Sequence, residues 1–327
     1  MIKVQELKLG FSSATTKKIL LENVSFNIEK GKLYSILGSN GKGKTTLLRA
    51  FAGIHKPLNG DILIKNKSIK SYSIQKLAHL ISVVFTERIN VDYMSVFEIL
   101  ALGRVPHTGF YGTLSENDLR VIDQALELCE ISNFKERKLN TLSDGEFQRV
   151  LIAKAIAQET PIILMDEPSS HLDAAGRITI MELLRKLVVE NNKTIVLTMH
   201  EIDLAIKFSD TILMFNDDKD IKLGMPEDLI LSGEINELFV SKGLIFSHKE
   251  GVFKTDRVNN LAIKLDLPLD KKMWVESALH RYSIFSKPSM QEFEISENEF
   301  GFIISKNGEI VSQYQNIKSI IEFFTST

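Results

Sequence analysis

"LYSILGSNGKGKTTLLRAFAG", residues 33–53, is the stretch that decides the fold. A short apolar run ends at Leu37, and an apolar-periodic run starts near Lys44. Between them, Gly38, four further residues and Gly43-Lys44-Thr45 match G-x-x-x-x-G-K-[ST], the spacing of a phosphate-binding loop between a strand and a helix. The glycines free the backbone to curl, so that successive N–H groups face one anion. A helix starting there adds its dipole to the same anion. The pattern predicts a polyphosphate held by Gly38, Ser39, Asn40, Gly41, Lys42, Gly43, Lys44, Thr45 and Thr46. Lys44 would reach the β and γ phosphates, and the Thr45 hydroxyl would ligate Mg²⁺. The plain alternative is a glycine turn that merely contains a lysine. The strand before it and the helix after it argue against that.

Such a loop needs a carboxylate on a neighbouring strand for the metal. "IILMDEP" (162–168) supplies Asp166 at the end of an apolar run, and Glu167 follows, placed to polarise a water. An ordinary helix-capping pair is the bland reading of these two acids. "TIVLTMH" (194–200) ends a further apolar strand in His200. Alone, His200 would read as a satisfied strand-end histidine. Beside a phosphate loop and Asp166-Glu167 it reads as a γ-phosphate sensor.

The rest of the chain bounds what surrounds this centre. At 327 residues it exceeds one compact domain, and 44% hydrophobic residues suffice for a sizeable core. Lys+Arg total 40 against 42 Asp+Glu, a formal net charge of −2, which leaves no electrostatic footprint for nucleic acid. Cys129 is the single cysteine, so there is no disulfide framework, and its setting reads as core. The N-terminus lacks a signal-peptide core, and the apolar runs are too short to span a bilayer. A soluble, cytoplasmic chain is expected, with any membrane role passing through a partner subunit.

The first ~85 residues read as strands around one helix, with a turn at Lys30-Gly31 and a hairpin over 60–69. Residues ~95–135 carry helical i, i+3, i+4 spacing, and "GEFQRVLIAKAIAQET" (145–160) continues it. From ~161 short apolar strands alternate with amphipathic helices, which predicts a parallel sheet covered on both faces. The fold class is therefore α/β, a P-loop NTPase with an antiparallel β subdomain and a helical arm at about 90–160. Residues 1–245 form the nucleotide-binding domain. Residues 250–327 form a small α+β appendage, with Asn307-Gly308 as a hairpin signal. Trp274, Phe324 and the aromatics of "EFEISENEFGF" are expected in its core, and bracing a dimer or sensing a regulator is its expected role.

Taken together, "GSNGKGKTT", "IILMDEP", "SSHLD" (169–173) and His200 resemble the nucleotide-binding subunit of an ABC transporter over residues ~1–240. "TLSDGEFQRV" (141–150) lies where that family keeps its signature loop, with Ser143 standing 23 residues before Asp166. The resemblance implies an ATPase that works as a homodimer. Each ATP and Mg²⁺ would lie between the P-loop of one chain and the signature loop of the other. Ser143, Gly145 and Glu146 would then bind nucleotide, Glu167, His200 and Lys44 would be catalytic, and Thr45 and Asp166 would hold the metal. Phe11 stands where the family stacks an aromatic on adenine; a strand-end core residue is the alternative. "EILALGRVPHTGF" (98–110) narrows the resemblance to the ATPases of iron–siderophore, haem and cobalamin importers. These sit peripherally on the cytoplasmic face of the bacterial inner membrane. They partner integral-membrane permease subunits and, indirectly, a periplasmic or lipid-anchored substrate-binding protein. The alternative is a soluble or regulatory ABC ATPase not tied to transport.

Two departures from the family pattern stand out. Thr86 occupies the place of a glutamine that contacts Mg²⁺ and the attacking water, and Glu87 follows it. Either residue, or neither, serves the metal. In the signature loop, Asp144 replaces a glycine and Glu146 replaces a glutamine. Ser143 and Glu146 make an S-x-x-E capping box, which would turn the Glu146 carboxylate away from phosphate and leave the Gly145 N–H for it. Asp144 is expected to point outward.

Overall fold

The computed structural model describes residues 1–12, 17–85, 93–109, 111–238, 244–247, 252–255, 263–282 and 292–326. They divide into two compact units, Met1–Thr255 and Asp256–Thr327.

A six-stranded sheet organises the first unit. Its strands are β3 (Leu33–Leu37), β6 (Ile81–Val84), β7 (Ile162–Asp166), β8 (Thr194–Thr198), β9 (Thr211–Phe215) and β10 (Ile221–Gly224), in the order β10-β9-β3-β8-β7-β6. All neighbours are parallel except β10, which runs antiparallel at the edge. Alternate residues of each central strand enter different cores, as the two-residue period of a strand requires. Tyr34, Ile36, Ile162, Leu164 and Val196 join one cluster. Leu33, Leu37, Ile163, Met165, Ile195 and Leu197 join the other. Both faces are therefore covered, which is why these strands read as unbroken apolar runs.

The first face packs on helix α1 (Lys44–Phe51) and on an antiparallel sheet. That sheet, ordered β2-β1-β4-β5, comprises β1 (Ile2–Ser12), β2 (Lys17–Ile28), β4 (Asn59–Ile64) and β5 (Lys67–Ser68). Lys65 and Asn66 take φ of 50° and 61°, which closes the β4–β5 hairpin as a two-residue turn. The second face takes helix α6 (Ala174–Asn191), helix α7 (Ile202–Phe208) and a helical arm. The arm is α3 (Val96–Gly103), α4 (Glu116–Leu128) and α5 (Asp144–Ala157). Three shorter pieces complete the unit: helix α2 (Ile74–Ala78), helix α8 (Pro226–Leu231) and the hairpin of β11 (Leu244–Ser247) with β12 (Val252–Thr255).

Register sets the site. Thr198 pairs with Asp166 on one side and with Ile36 on the other, so the C-terminal ends of β7, β8 and β3 lie level. Ligands of open α/β sheets bind at those ends.

A buried ion pair locks the arm. Arg104 caps α3 and is 2% exposed. Its guanidinium donates to Asp118 (2.8 Å), to the Ala157 carbonyl (2.6 Å) and to Glu159 (2.7 Å). Asp118 also accepts from the Ser115 hydroxyl and N–H, capping α4. These Ser115 bonds, and then Arg104, hold the Asp118 carboxyl down at about 2. Gly103 lies against α5, where an added Cβ would sit 2.6 Å from the Lys154 carbonyl oxygen. This close approach explains a glycine in the last turn of α3.

Among the described residues, the second unit is one four-stranded sheet with two helices. Its strands β13 (Lys264–Asp266), β14 (Phe293–Asn298), β15 (Gly301–Lys306) and β16 (Glu309–Tyr314) follow chain order. Helix α9 (Leu269–Arg281) carries the crossover between the parallel β13 and β14, and helix α10 (Ile317–Ser326) follows β16. Asn307 and Gly308, at φ 51° and 86°, close the β15–β16 hairpin. Ile295, Ile304, Val275, Leu279, Ile320 and Phe324 fill the core. Trp274, expected there, is 63% exposed, and Phe300 is exposed as well. Residue Phe300 follows the end of β14, and Trp274 lies on the flank of α9 beside its buried stripe.

Because its folded pKa lies below the ordinary Asp value, Asp118 stabilises the arm fully above pH ~4, and that contribution fades as pH falls toward about 2. Asp118→Ala is expected to cost about 3 kcal/mol, since it strips an ionised partner from a buried guanidinium. Urea unfolding followed by circular dichroism from pH 2 to 6 should show that loss near pH 6, and a shallower acid slope in the variant.

Candidate nucleotide site

The loop between β3 and α1 forms one wall of a cavity of about 500 Å³. Asn40, Gly41, Gly43, Lys44, Thr45 and Thr46 line it from the loop, Phe11, Lys18 and Leu20 from β1 and β2, and Glu167 and His200 from the sheet ends. Gly43 has φ 111°, a left-handed conformation costly for any side chain, and an added Cβ would stand 2.9 Å from Leu20 Cδ1. Lys44, buried, donates from Nζ to the Gly38 carbonyl at 2.7 Å, folding back from the start of α1 across the loop. The Lys42 ammonium pairs with Asp217.

Asp166 joins the loop to the sheet. Its Oδ1 accepts the Thr45 hydroxyl at 3.1 Å and the Thr198 hydroxyl at 2.6 Å. Residue Glu167 then turns sharply, with φ 47°. Its N–H donates to the Thr198 carbonyl (3.1 Å) and hydroxyl (3.0 Å). This local anchoring maintains an uncommon backbone state, of the kind that accumulates at functional sites. It brings the Glu167 carboxylate to 2.7 Å from His200 Nε2, at the cavity wall. Behind His200, Glu201 accepts from the His200 N–H (3.3 Å) and the Ser169 hydroxyl (3.2 Å) and pairs with Arg177 (3.2 Å).

The signature segment lies elsewhere in the chain. Ser143 caps α5 with both bonds of the box: Glu146 N–H to Ser143 Oγ at 3.3 Å, and Ser143 N–H to Glu146 Oε2 at 2.8 Å. The Ser143 N–H, and further Arg137 at 3.1 Å, hold the Glu146 carboxyl below its ordinary range. Asp144 is exposed, and Gly145 and Glu146 line a separate cavity of about 360 Å³. One chain thus gathers Phe11, the phosphate loop, Asp166, Glu167 and His200, but not Ser143, Gly145 or Glu146. Phe11 is 53% exposed, its ring edge-on to His55 at 5.1 Å. Thr86 and Glu87 lie outside the described residues.

The sequence reading missed Thr198, Glu201, Arg137 and Arg104. Thr198 had a usable signal, a hydroxyl two residues before His200 at a strand end; its partner followed only from strand register.

The ABC transporter family profile matches residues 21–170. The ABC transporter ATP-binding protein MJ0873 of Methanocaldococcus jannaschii, itself uncharacterised, is 35% identical over 78% of this chain and 86% of its own length. The chain belongs to the ABC transporter ATP-binding proteins. Within this family, the petrobactin import ATP-binding protein YclP of Bacillus subtilis is 35% identical over 68% of this chain and 87% of its own. A bacterial ABC transporter cassette solved as a dimer superposes with a TM-score of 0.61 at 29% identity, covering 69% of this chain and 99% of that one. The ABC ATPase fold and ATP as substrate follow from this membership. No helix among the described residues is long and apolar enough to cross a membrane.

Gly43→Ala should weaken ATP binding by about tenfold or more, equivalent to ~1.4 kcal/mol, through strain in the loop. Equilibrium titration with a fluorescent ATP analogue reads the affinity, with circular dichroism confirming an unchanged fold.

Proposed function

We propose that this chain is the ATP-hydrolysing subunit of an importer for iron–siderophore-type chelates. The observation that carries the hydrolytic reading is the 2.7 Å contact of Glu167 with His200 at the wall of the phosphate-loop cavity. The petrobactin importer relative supports the substrate class.

The residues present suit Mg²⁺. Thr45 Oγ1 and Asp166 Oδ1 lie 3.1 Å apart beside the cavity, an all-oxygen pair for a hard cation that also takes waters and phosphate oxygens. Thr45 and Asp166 would hold the ion, with Thr86 as a third oxygen within the proposal. Bound there, Mg²⁺ would offset charge on the terminal phosphates. The loop N–H groups and Lys44 bind and orient the phosphates. Phe11 stacks on the adenine. Glu167 takes the proton of the attacking water, and His200 holds the carboxylate in place for that transfer.

A second copy supplies what one chain leaves apart. Ser143 and the Gly145 N–H would reach the γ-phosphate from the partner's α5, with Glu146 beside them, its N–H and carboxylate both engaged in the cap. The solved dimeric cassette supports a homodimer. The helical arm would meet integral-membrane permease subunits at the cytoplasmic face of the inner membrane, and a substrate-binding protein would act through the permease.

Glu167→Gln, with its membrane partner present, should lower kcat by a factor of about 10² or more, as loss of a general base does, while ATP affinity stays within a few-fold. Hydrolysis near the wild-type rate would contradict the assignment.

A further inference from the structure

The second unit holds a cavity of about 500 Å³ that serves no part of the ATPase reading. Ile317 and Ile321, one turn apart on α10, line one side. On the other, α9 presents Trp274, Ala278 and Arg281 at i, i+4 and i+7, and Tyr282 follows. Helix α9 buries Val275, Ala278 and Leu279 in the core, so Trp274 and Arg281 flank the buried stripe. Trp274 and Tyr282 are both largely exposed at the cavity. Two large rings beside an apolar floor form a surface for a flat apolar body.

The charges select the ligand's sign. Lys318 pairs with Glu322 at 3.6 Å, so these two largely offset each other. Arg281 makes no ion pair among the described residues. Its planar guanidinium presents a donor fork that matches a carboxylate bidentately. A cation over the rings would face Arg281 as well, so the surplus charge favours an anion.

We propose that this cavity is a binding site for a small planar aromatic carboxylate. The ring lies against Trp274 and Tyr282 over Ile317 and Ile321, and the carboxylate engages Arg281. The site is independent of the nucleotide cavity, and its occupancy does not rest on the importer assignment.

Trp274 is the chain's single tryptophan, so its emission reports this cavity directly. The full chain is titrated with benzoate and with neutral benzamide of the same shape, exciting only tryptophan. Benzoate should give a saturable change at millimolar concentration or below, with benzamide at least about tenfold weaker. Arg281→Gln should weaken benzoate about tenfold, leave benzamide unchanged and leave ATP hydrolysis at the wild-type rate. Tyr282→Ala should weaken both probes. No saturable change with benzoate, equal affinity for the two probes, or wild-type benzoate binding in Arg281→Gln would each overturn the proposal.

Discussion

Asp166 is the point on which the ATPase site turns. Its carboxylate accepts the Thr45 hydroxyl from the phosphate loop and the Thr198 hydroxyl from β8. Thr45 lies 121 residues from Asp166 in the chain and Thr198 lies 32, and strand register brings them level. Thr198 then also receives the Glu167 N–H, which fixes the left-handed turn that carries Glu167 to His200. The loop, the Thr45 and Asp166 oxygens and the Glu167–His200 pair thus hang on one hydrogen-bonded knot. The two apolar cores on either face of the sheet keep it from shifting.

The signature segment shows a second use of the same economy. A helix start must satisfy its free N–H groups, and a γ-phosphate needs some of them. Ser143 and Glu146 satisfy the cap between them, and Arg137 draws the Glu146 carboxylate aside. A glutamate can therefore stand in the loop without facing an anion. Asp144 is exposed on the first turn, where the helix dipole favours a carboxylate.

Much of this is legible in the sequence. The glycine spacing before Lys44, the strand end at Asp166, the capping box and the two-residue turn at Asn307-Gly308 are local patterns with local causes. Side chains whose partners depend on tertiary register were not legible. Thr198 is one residue of an apolar strand until β7 lies beside it. Arg104, inside a stretch whose residues carry only a family resemblance, is a buried ion-pair centre only once α4 and α5 close around it. Trp274 failed in the opposite direction: hydrophobicity argued for the core, but its place on α9 put it on the flank.

The central claim is that Asp166 and Thr45 form the metal-binding pair of an ATP site. The most direct measurement compares nucleotide affinity with Mg²⁺ and with EDTA, in the wild type and in Asp166→Ala. The account predicts tighter binding with Mg²⁺ in the wild type, and loss of most of that difference in the variant while binding in EDTA persists. An undiminished Mg²⁺ effect in Asp166→Ala would contradict it.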